Sequence, residues 1–328
     1  MFQKLDIFDR IQHITESYLT RRARVVRIRR EKQLAKNPVL DWVEAFVWAM
    51  CVVLIINQYL FQAYQIPSGS MIDTLLIGDR IFVNKIVYGP EILPGIGKIS
   101  SPIKPKRNDV IIFENPEYNS RGPVFDIAQR IIFMLTISLV DIDRDISGKP
   151  KPHFLIKRAV ATGGDTVFIE HGDMYIRFAG EDRIVSETQY NKQRGWDHNL
   201  SRIVTSEEYP LLEAAGKASA YLDLNIAMPT EVESMATQAA THQIYDTATT
   251  ATKRLEILCA AFPQENRFSK EAARRNMGRF IPQGRVLPLG DNRDNSHDGR
   301  YFGAVKTSKI LGKGAFKFWP HTRIGSIE

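Results

Sequence analysis

The sequence predicts a mainly β body carried on one N-terminal transmembrane helix and interrupted by an inserted α+β subdomain. Three observations carry this reading: a predominantly apolar run over 42–64, short β-rich runs recurring between turn signals, and a change of texture over 182–282. They divide the chain into a basic tail (1–41), a span (42–64), a β domain in two pieces (65–181 and 283–328) and an insertion (182–282).

The span has an uninterrupted apolar core over 45–56, flanked by Trp42, Trp48, Tyr59 and Tyr64. About 20 residues cross the hydrocarbon layer, and aromatic flanks match an interfacial belt. Arg21, Arg22, Arg24, Arg27, Arg29, Arg30, Lys32 and Lys36 precede it, so the positive-inside rule places the tail in the cytoplasm and the body across the membrane. The net charge of +7 resides largely in this block, and the rest of the chain is close to balanced. Without zinc-finger spacing or aromatic interleaving, that charge gives no reason to expect nucleic acid as a partner.

After the span, β-rich runs occur at 80–88, 110–113, 154–160, 166–169, 174–178, 285–289 and 315–319. His171, Gly172 and Asp173 form a tight connection between two of them, which predicts a hairpin. The stretch 182–282 is rich in Ala, Thr, Glu, Gln and Lys, with mixed helical and irregular signals. A second apolar stretch, 131–140, is too short to span a bilayer and is open to two readings, core or bilayer surface. Only Cys51 and Cys259 occur, which excludes a disulfide framework and a thiolate metal site. Cys51 is expected to face lipid and Cys259 to be buried in a helix.

Four islands place small or polar residues beside buried-looking strands. Pro67-Ser68-Gly69-Ser70-Met71 lies just beyond the span, where a serine in a sharp turn exposes its hydroxyl and backbone amides can stabilise an oxyanion. In Phe154-Leu155-Ile156-Lys157-Arg158-Ala159-Val160 a lysine sits within an apolar strand. Alternation turns Lys157 and Arg158 to opposite faces, one inward and one to solvent. A desolvated lysine loses affinity for its proton, as a general base near neutral pH requires. By this reading Arg158→Met costs much less than Lys157→Met. The third island runs from Gly290 to Gly303 and is too polar for core and too dense in hydrogen-bonding groups for a linker. The fourth, from Gly78 to Lys85, is a turn leading into a scaffold strand.

In this order the islands resemble the bacterial type I signal peptidase family, a Ser/Lys-dyad serine protease family, over 42–113, 153–178 and 286–320. Its Ser-Gly-Ser-Met-x-Pro-Thr-Leu motif matches Ser68-Gly69-Ser70-Met71 and Thr74-Leu75. Its Lys-Arg strand matches Lys157-Arg158, and its Gly-Asp-Asn loop matches Gly290 through Arg300. The resemblance implies Ser70 as nucleophile, Lys157 as base, and Ser68 with the Ser70 amide as oxyanion hole. It further implies that Ser296 orients the Lys157 amine, that Asp298 pairs with Arg300, and that Gly290 leaves space beside the dyad. Asp73 stands where the family has Pro, and Gly299 where it has Ser. Asp73 either faces the site, raising the Lys157 pKa, or caps the turn facing water; the turn reading is preferred.

The fold implied is a signal-peptidase-like catalytic body, and the activity is signal-peptide cleavage on the outer face of a bacterial cytoplasmic membrane through an acyl-enzyme. No metal or cofactor is needed. Expected partners are preproteins carrying signal peptides, the lipid bilayer and the secretion translocon. Competing readings are a Ser/Lys protease dedicated to one exported substrate and an inert membrane-tethered assembly factor. A Ser-His-Asp site is not expected: adjacent Ser296, His297 and Asp298 point apart, and His153, His171, His198, His242 and His321 lack a supporting motif.

Overall fold

The computed structural model describes residues 7–34, 37–93, 96–136, 139–144, 148, 151–196, 198–242, 244 and 246–327. Parts of the expected tail (1–6, Ala35, Lys36) and of the second apolar stretch (Ile137, Ser138) lie outside them. The chain divides into two units, Met1–Val53 and Leu54–Glu328.

The first unit holds helix α1 (Ile7–Leu34) and most of helix α2 (Pro38–Ile55). The start of α2 is set locally: Asn37 Oδ1 accepts from the Val39 amide at 3.0 Å, and Pro38 supplies a φ already suited to a first helical position. Continued by a π-turn at Ile56–Leu60, it makes the 23-residue run Pro38–Leu60. Among the described residues this is the one helix long and apolar enough to cross a membrane, and none of its apolar window is buried. This apolar helix covers 38–60, where the sequence predicts 42–64. Its expected last residues instead form a strand, β1 (Phe61–Gln65), because Gln62, Ala63 and Tyr64 are buried against the body.

The second unit continues with β2 (Arg80–Asn84), β3 (Glu91–Leu93), β4 (Ile96–Lys98), β5 (Val110–Glu114), helix α3 (Pro123–Leu135), β6 (Phe154–Thr162), β7 (Thr166–Glu170), β8 (Asp173–Arg177) and β9 (Ile184–Ser186). Five helices follow: α4 (Glu187–Arg194), α5 (Tyr209–Asp223), α6 (Thr230–Thr241), α7 (Thr247–Ala261) and α8 (Asn266–Asn276). The chain ends with β10 (Arg279–Phe280), β11 (Arg285–Leu289), helix α9 (Gly299–Phe302), β12 (Val305–Lys306), β13 (Ile310–Trp319) and β14 (Gly325–Ser326). An eight-stranded antiparallel sheet has the order β1-β2-β13-β5-β6-β11-β12, with β14 on β13.

The apolar run of β5 is buried on both faces. Ile112 packs with Tyr64, Ile81 and Val83, whereas Ile111 and Phe113 pack with Ala159, Val286 and Ile310. A continuous run without alternation is the pattern of a strand covered on both sides. Each expected β-run contains a strand, and the expected hairpin is β7–β8, where His171 and Gly172 both take positive φ (46° and 71°) as a two-residue turn of the I′ type requires.

Several expectations change. Helical residues outnumber strand residues, so "mainly β" describes the sheet around the site and not the chain. The excess comes from the two N-terminal helices and from 182–282, whose Ala- and Glu-rich texture folds as five helices. That insertion does not stand apart: β9 and β10 flank β7 and β8 in one four-stranded sheet. The 131–140 stretch is mixed. Met134 is buried and Phe133 packs against Tyr64, while Leu139 and Val140 are exposed. Cys259 is only half-buried.

Candidate active site

Ser70 sits on a single 3-10 turn, Gly69–Met71, between β1 and β2. The turn is pinned from below by Met71 and Leu75, both fully buried, and closed by hydrogen bonds from the Ile66 amide to Asp79 O (2.8 Å) and from the Gly78 amide to Ile66 O (2.9 Å). Lys157 lies on β6 opposite Ile111. Its Nζ is 2.5 Å from Ser70 Oγ, and the two residues are 4% and 8% exposed. Burial pushes the Lys157 pKa down to about 8; nearby Asp298 and Asp291 pull it up, and Arg300 pushes it down.

Ser68 Oγ lies 3.5 Å from Ser70 Oγ and is exposed. Asp298 is fully buried: Oδ2 accepts from the Gly290 amide (2.9 Å) and Oδ1 from Arg300 Nε (2.9 Å). Burial alone would raise the Asp298 pKa, but Arg300 and the backbone amides hold it below the usual carboxylate range. A Cβ on Gly290 would fall on Ser296 Oγ and within 2.5 Å of Ser70 O. Ser296 therefore lies beside the dyad, but its buried Oγ has no hydrogen-bond partner among the described residues, and the expected bond to the Lys157 amine is not formed. Asp73 is exposed in the turn. Gly299 is closely packed: a Cβ there would lie 2.7 Å from Pro288 O.

Arg158 departs from the alternation argument. It points away from Lys157, yet it is 1% exposed, because the face it enters is covered by the Gly290–Gly303 island and by Thr74. Its Nε and Nη2 bind the two oxygens of Asp291 at 2.9 and 2.8 Å, Nη2 binds Thr74 Oγ1 at 3.0 Å, and Nη1 binds Asn108 Oδ1 at 2.8 Å. The dyad strand is thus tied to both the nucleophile loop and the third island. The pairing has one signal in the sequence, a carboxylate directly after Gly290 that needs a cation if buried.

In front of the dyad opens a cleft of about 660 Å³. Tyr64, Ile66, Met71 and Phe154 line it beside Ser70 and Lys157, and Gln129, Phe133, Leu139, Asp141 and Arg144 form a wall drawn from the connection between β5 and β6. Sequence reasoning missed this wall. Strand β6 pairs with β5 along 154–158 but with β11 only from Arg158 onward. The second edge of 154–157 therefore has no strand partner among the described residues. Of the histidines, His153 is buried at the cleft rim against Asp143 (3.2 Å), and none is paired with Ser70.

Comparison with known proteins agrees with this layout. The model of the family described as signal peptidase, peptidase S26, matches residues 39–319. Signal peptidase I of Haemophilus influenzae is 29% identical over 270 residues, covering 81% of this chain and 66% of that protein. The enzyme of the same name from Aquifex aeolicus is 26% identical over 290 residues, 87% of this chain and 85% of its own. That of Pseudomonas fluorescens reaches 40% over 87 residues, 26% of this chain and 30% of its own. The match takes in the nucleophile turn, the lysine strand and the polar loop in one continuous span, and the chain accordingly belongs to the signal peptidase family, peptidase S26, a family of serine endopeptidases.

Proposed function

We propose that the chain is a membrane-bound serine endopeptidase that removes N-terminal signal peptides from exported preproteins, with Ser70 as nucleophile and Lys157 as general base. The observation carrying this reading is the 2.5 Å separation of Lys157 Nζ and Ser70 Oγ in a buried place. A lysine whose pKa is brought to about 8 has a usable neutral fraction at physiological pH. It takes the Ser70 proton as Oγ attacks the scissile carbonyl, and returns it to the leaving amine. It then activates the water that releases the acyl group. The Ser70 amide and Ser68 Oγ receive the oxyanion. Asp298 with Arg300, and Gly290, keep the polar loop close to the dyad without crowding it.

The substrate lies extended along the open edge of 154–157, adding a strand as peptides do at free sheet edges, with its small side chains in the apolar part of the cleft. The span Pro38–Leu60 anchors the enzyme, and only nine residues lie between Leu60 and Ser70, so cleavage takes place close to the membrane surface. The basic residues of α1 put the N-terminus in the cytoplasm and the catalytic unit on the outer face of the bacterial cytoplasmic membrane. Substrates reach it from the secretion translocon within the bilayer. Incubation of the full chain with a preprotein, wild type against Ser70→Ala, tests the reading: cleavage by the wild type alone supports it, and equal cleavage by both removes Ser70 from the mechanism.

A further inference from the structure

The 182–282 insertion touches the catalytic loop through two ion pairs that the mechanism above does not use, Arg202–Asp294 and the more deeply buried Glu187–Arg293. Glu187, the first residue of α4, is 3% exposed, and its two oxygens accept from Arg293 Nη1 and Nη2 at 2.6 Å each. Arg293, also 3% exposed, uses its remaining donor Nε on Gly290 O at 3.0 Å. Its own carbonyl accepts from Arg300 Nη2. The neighbouring residues complete the contact. The Ser201 amide donates to Asp291 O (2.9 Å), the Arg293 amide donates to Ser201 O (3.0 Å), and Asp294 accepts from Arg202 Nε and the amides of Ile203 and Val204. On its other side the same loop grips the nucleophile turn. The Asn292 amide donates to Ser70 O at 3.1 Å, and Asn292 Nδ2 donates to Gly69 O at 3.0 Å.

The polar loop is therefore held between the insertion and the nucleophile, and Glu187 is the only carboxylate bonded to Arg293 among the described residues, since Asp291 is taken by Arg158 and Asp298 by Arg300. A buried guanidinium without a counter-charge is strongly unfavourable, so loss of Glu187 draws Arg293 toward water and pulls Gly290 and Asn292 with it. We propose that Glu187 is a positioning residue for the Ser70–Lys157 dyad, acting through Arg293, and that the first part of the insertion belongs to the catalytic apparatus of this enzyme. This deepens the proposed function and rests on it.

The test compares full-length, detergent-solubilised wild type with Glu187→Gln, Glu187→Asp and the double variant Glu187→Gln/Arg293→Met, the last removing both charges so that the fold survives if the single change does not. Cleavage of a preprotein is followed across pH, with amide exchange of 290–296 as a second readout. Expected are a kcat reduced at least roughly ten-fold in Glu187→Gln with KM little changed, as misplacement of reacting groups produces. The rising pH limb moves upward as water reaches Lys157, exchange at 290–296 quickens, and Glu187→Asp recovers most of the rate. The double variant stays folded and slow, because Met cannot hold Gly290 O. Wild-type kcat with an unmoved pH limb in a folded Glu187→Gln or double variant overturns the inference and leaves the function standing. A wild-type chain that cleaves no preprotein overturns the function, and this inference with it.

Discussion

Lys157 Nζ lies 2.5 Å from Ser70 Oγ, joining a residue in the middle of a nine-residue strand to one on an isolated turn 87 positions earlier. Neither residue reaches bulk water appreciably, and this shared burial is the largest cause of the lysine's lowered proton affinity, with the Arg300 charge acting in the same direction.

The first prediction concerns pH. Burial lowers the Lys157 pKa from 10.5 to about 8, so activity should rise with pH along a limb near pH 8. Between these values the unfolded chain binds more protons than the folded one, so this residue's contribution to stability increases as pH rises through the window, at about 1.4 kcal/mol per unit. Lys157→Met should abolish cleavage, leave the thermal midpoint at neutral pH no lower than wild type, and flatten the stability profile above pH 8. Calorimetry across pH checks the second part, and cleavage at near wild-type rate would refute the assignment.

Arg158→Met should be a folding defect. It strips the buried Asp291 of its cation and leaves Thr74 and Asn108 without their donor. Breaking a buried pair costs about 3–5 kcal/mol. Urea unfolding reads the loss directly; a variant as stable as wild type would mean the network contributes little.

Gly290→Ala should slow cleavage more than it destabilises, since the new Cβ presses on Ser296 Oγ and Ser70 O at the dyad itself. Gly299→Ser, by contrast, meets the Pro288 carbonyl and Leu287 Cδ1 behind the loop and should mainly lower the thermal midpoint. Overpacking of either kind costs about 1–3 kcal/mol. Measuring kcat and melting temperature for both variants separates the effects, and identical profiles would contradict the geometry.

The proposed orientation rests on the basic helix before the apolar one. Protease added outside intact spheroplasts should digest the 54–328 unit and spare the tail. Digestion of the tail alone would reverse the orientation and remove the functional reading.

The β-runs, the hairpin at His171-Gly172 and the apolar helix were legible because each is a local pattern: strand alternation, positive-φ turn chemistry and an unbroken apolar run report on residues a few positions apart. The helix ends before 61–64, where the sequence predicts that it continues, since Phe61, Ala63 and Tyr64 are as apolar as the residues before them and only pairing with β2 makes them a strand.

For the site, the sequence by itself determined the residue types and their order: a serine on a turn, a lysine within an apolar strand, a polar loop at the end. Tertiary structure decided which of them meet and which are enclosed. Alternation states that Lys157 and Arg158 face opposite ways, but not that a second layer covers each face, so the Arg158–Asp291 pair could not be read from it. Likewise the cleft wall around Gln129 and Phe133 and the Glu187–Arg293 pair join segments whose closeness depends on how the chain packs after its local elements have formed. Burial of a charge is a property of everything folded around it, and a one-dimensional pattern carries only the part of that environment contributed by its nearest neighbours.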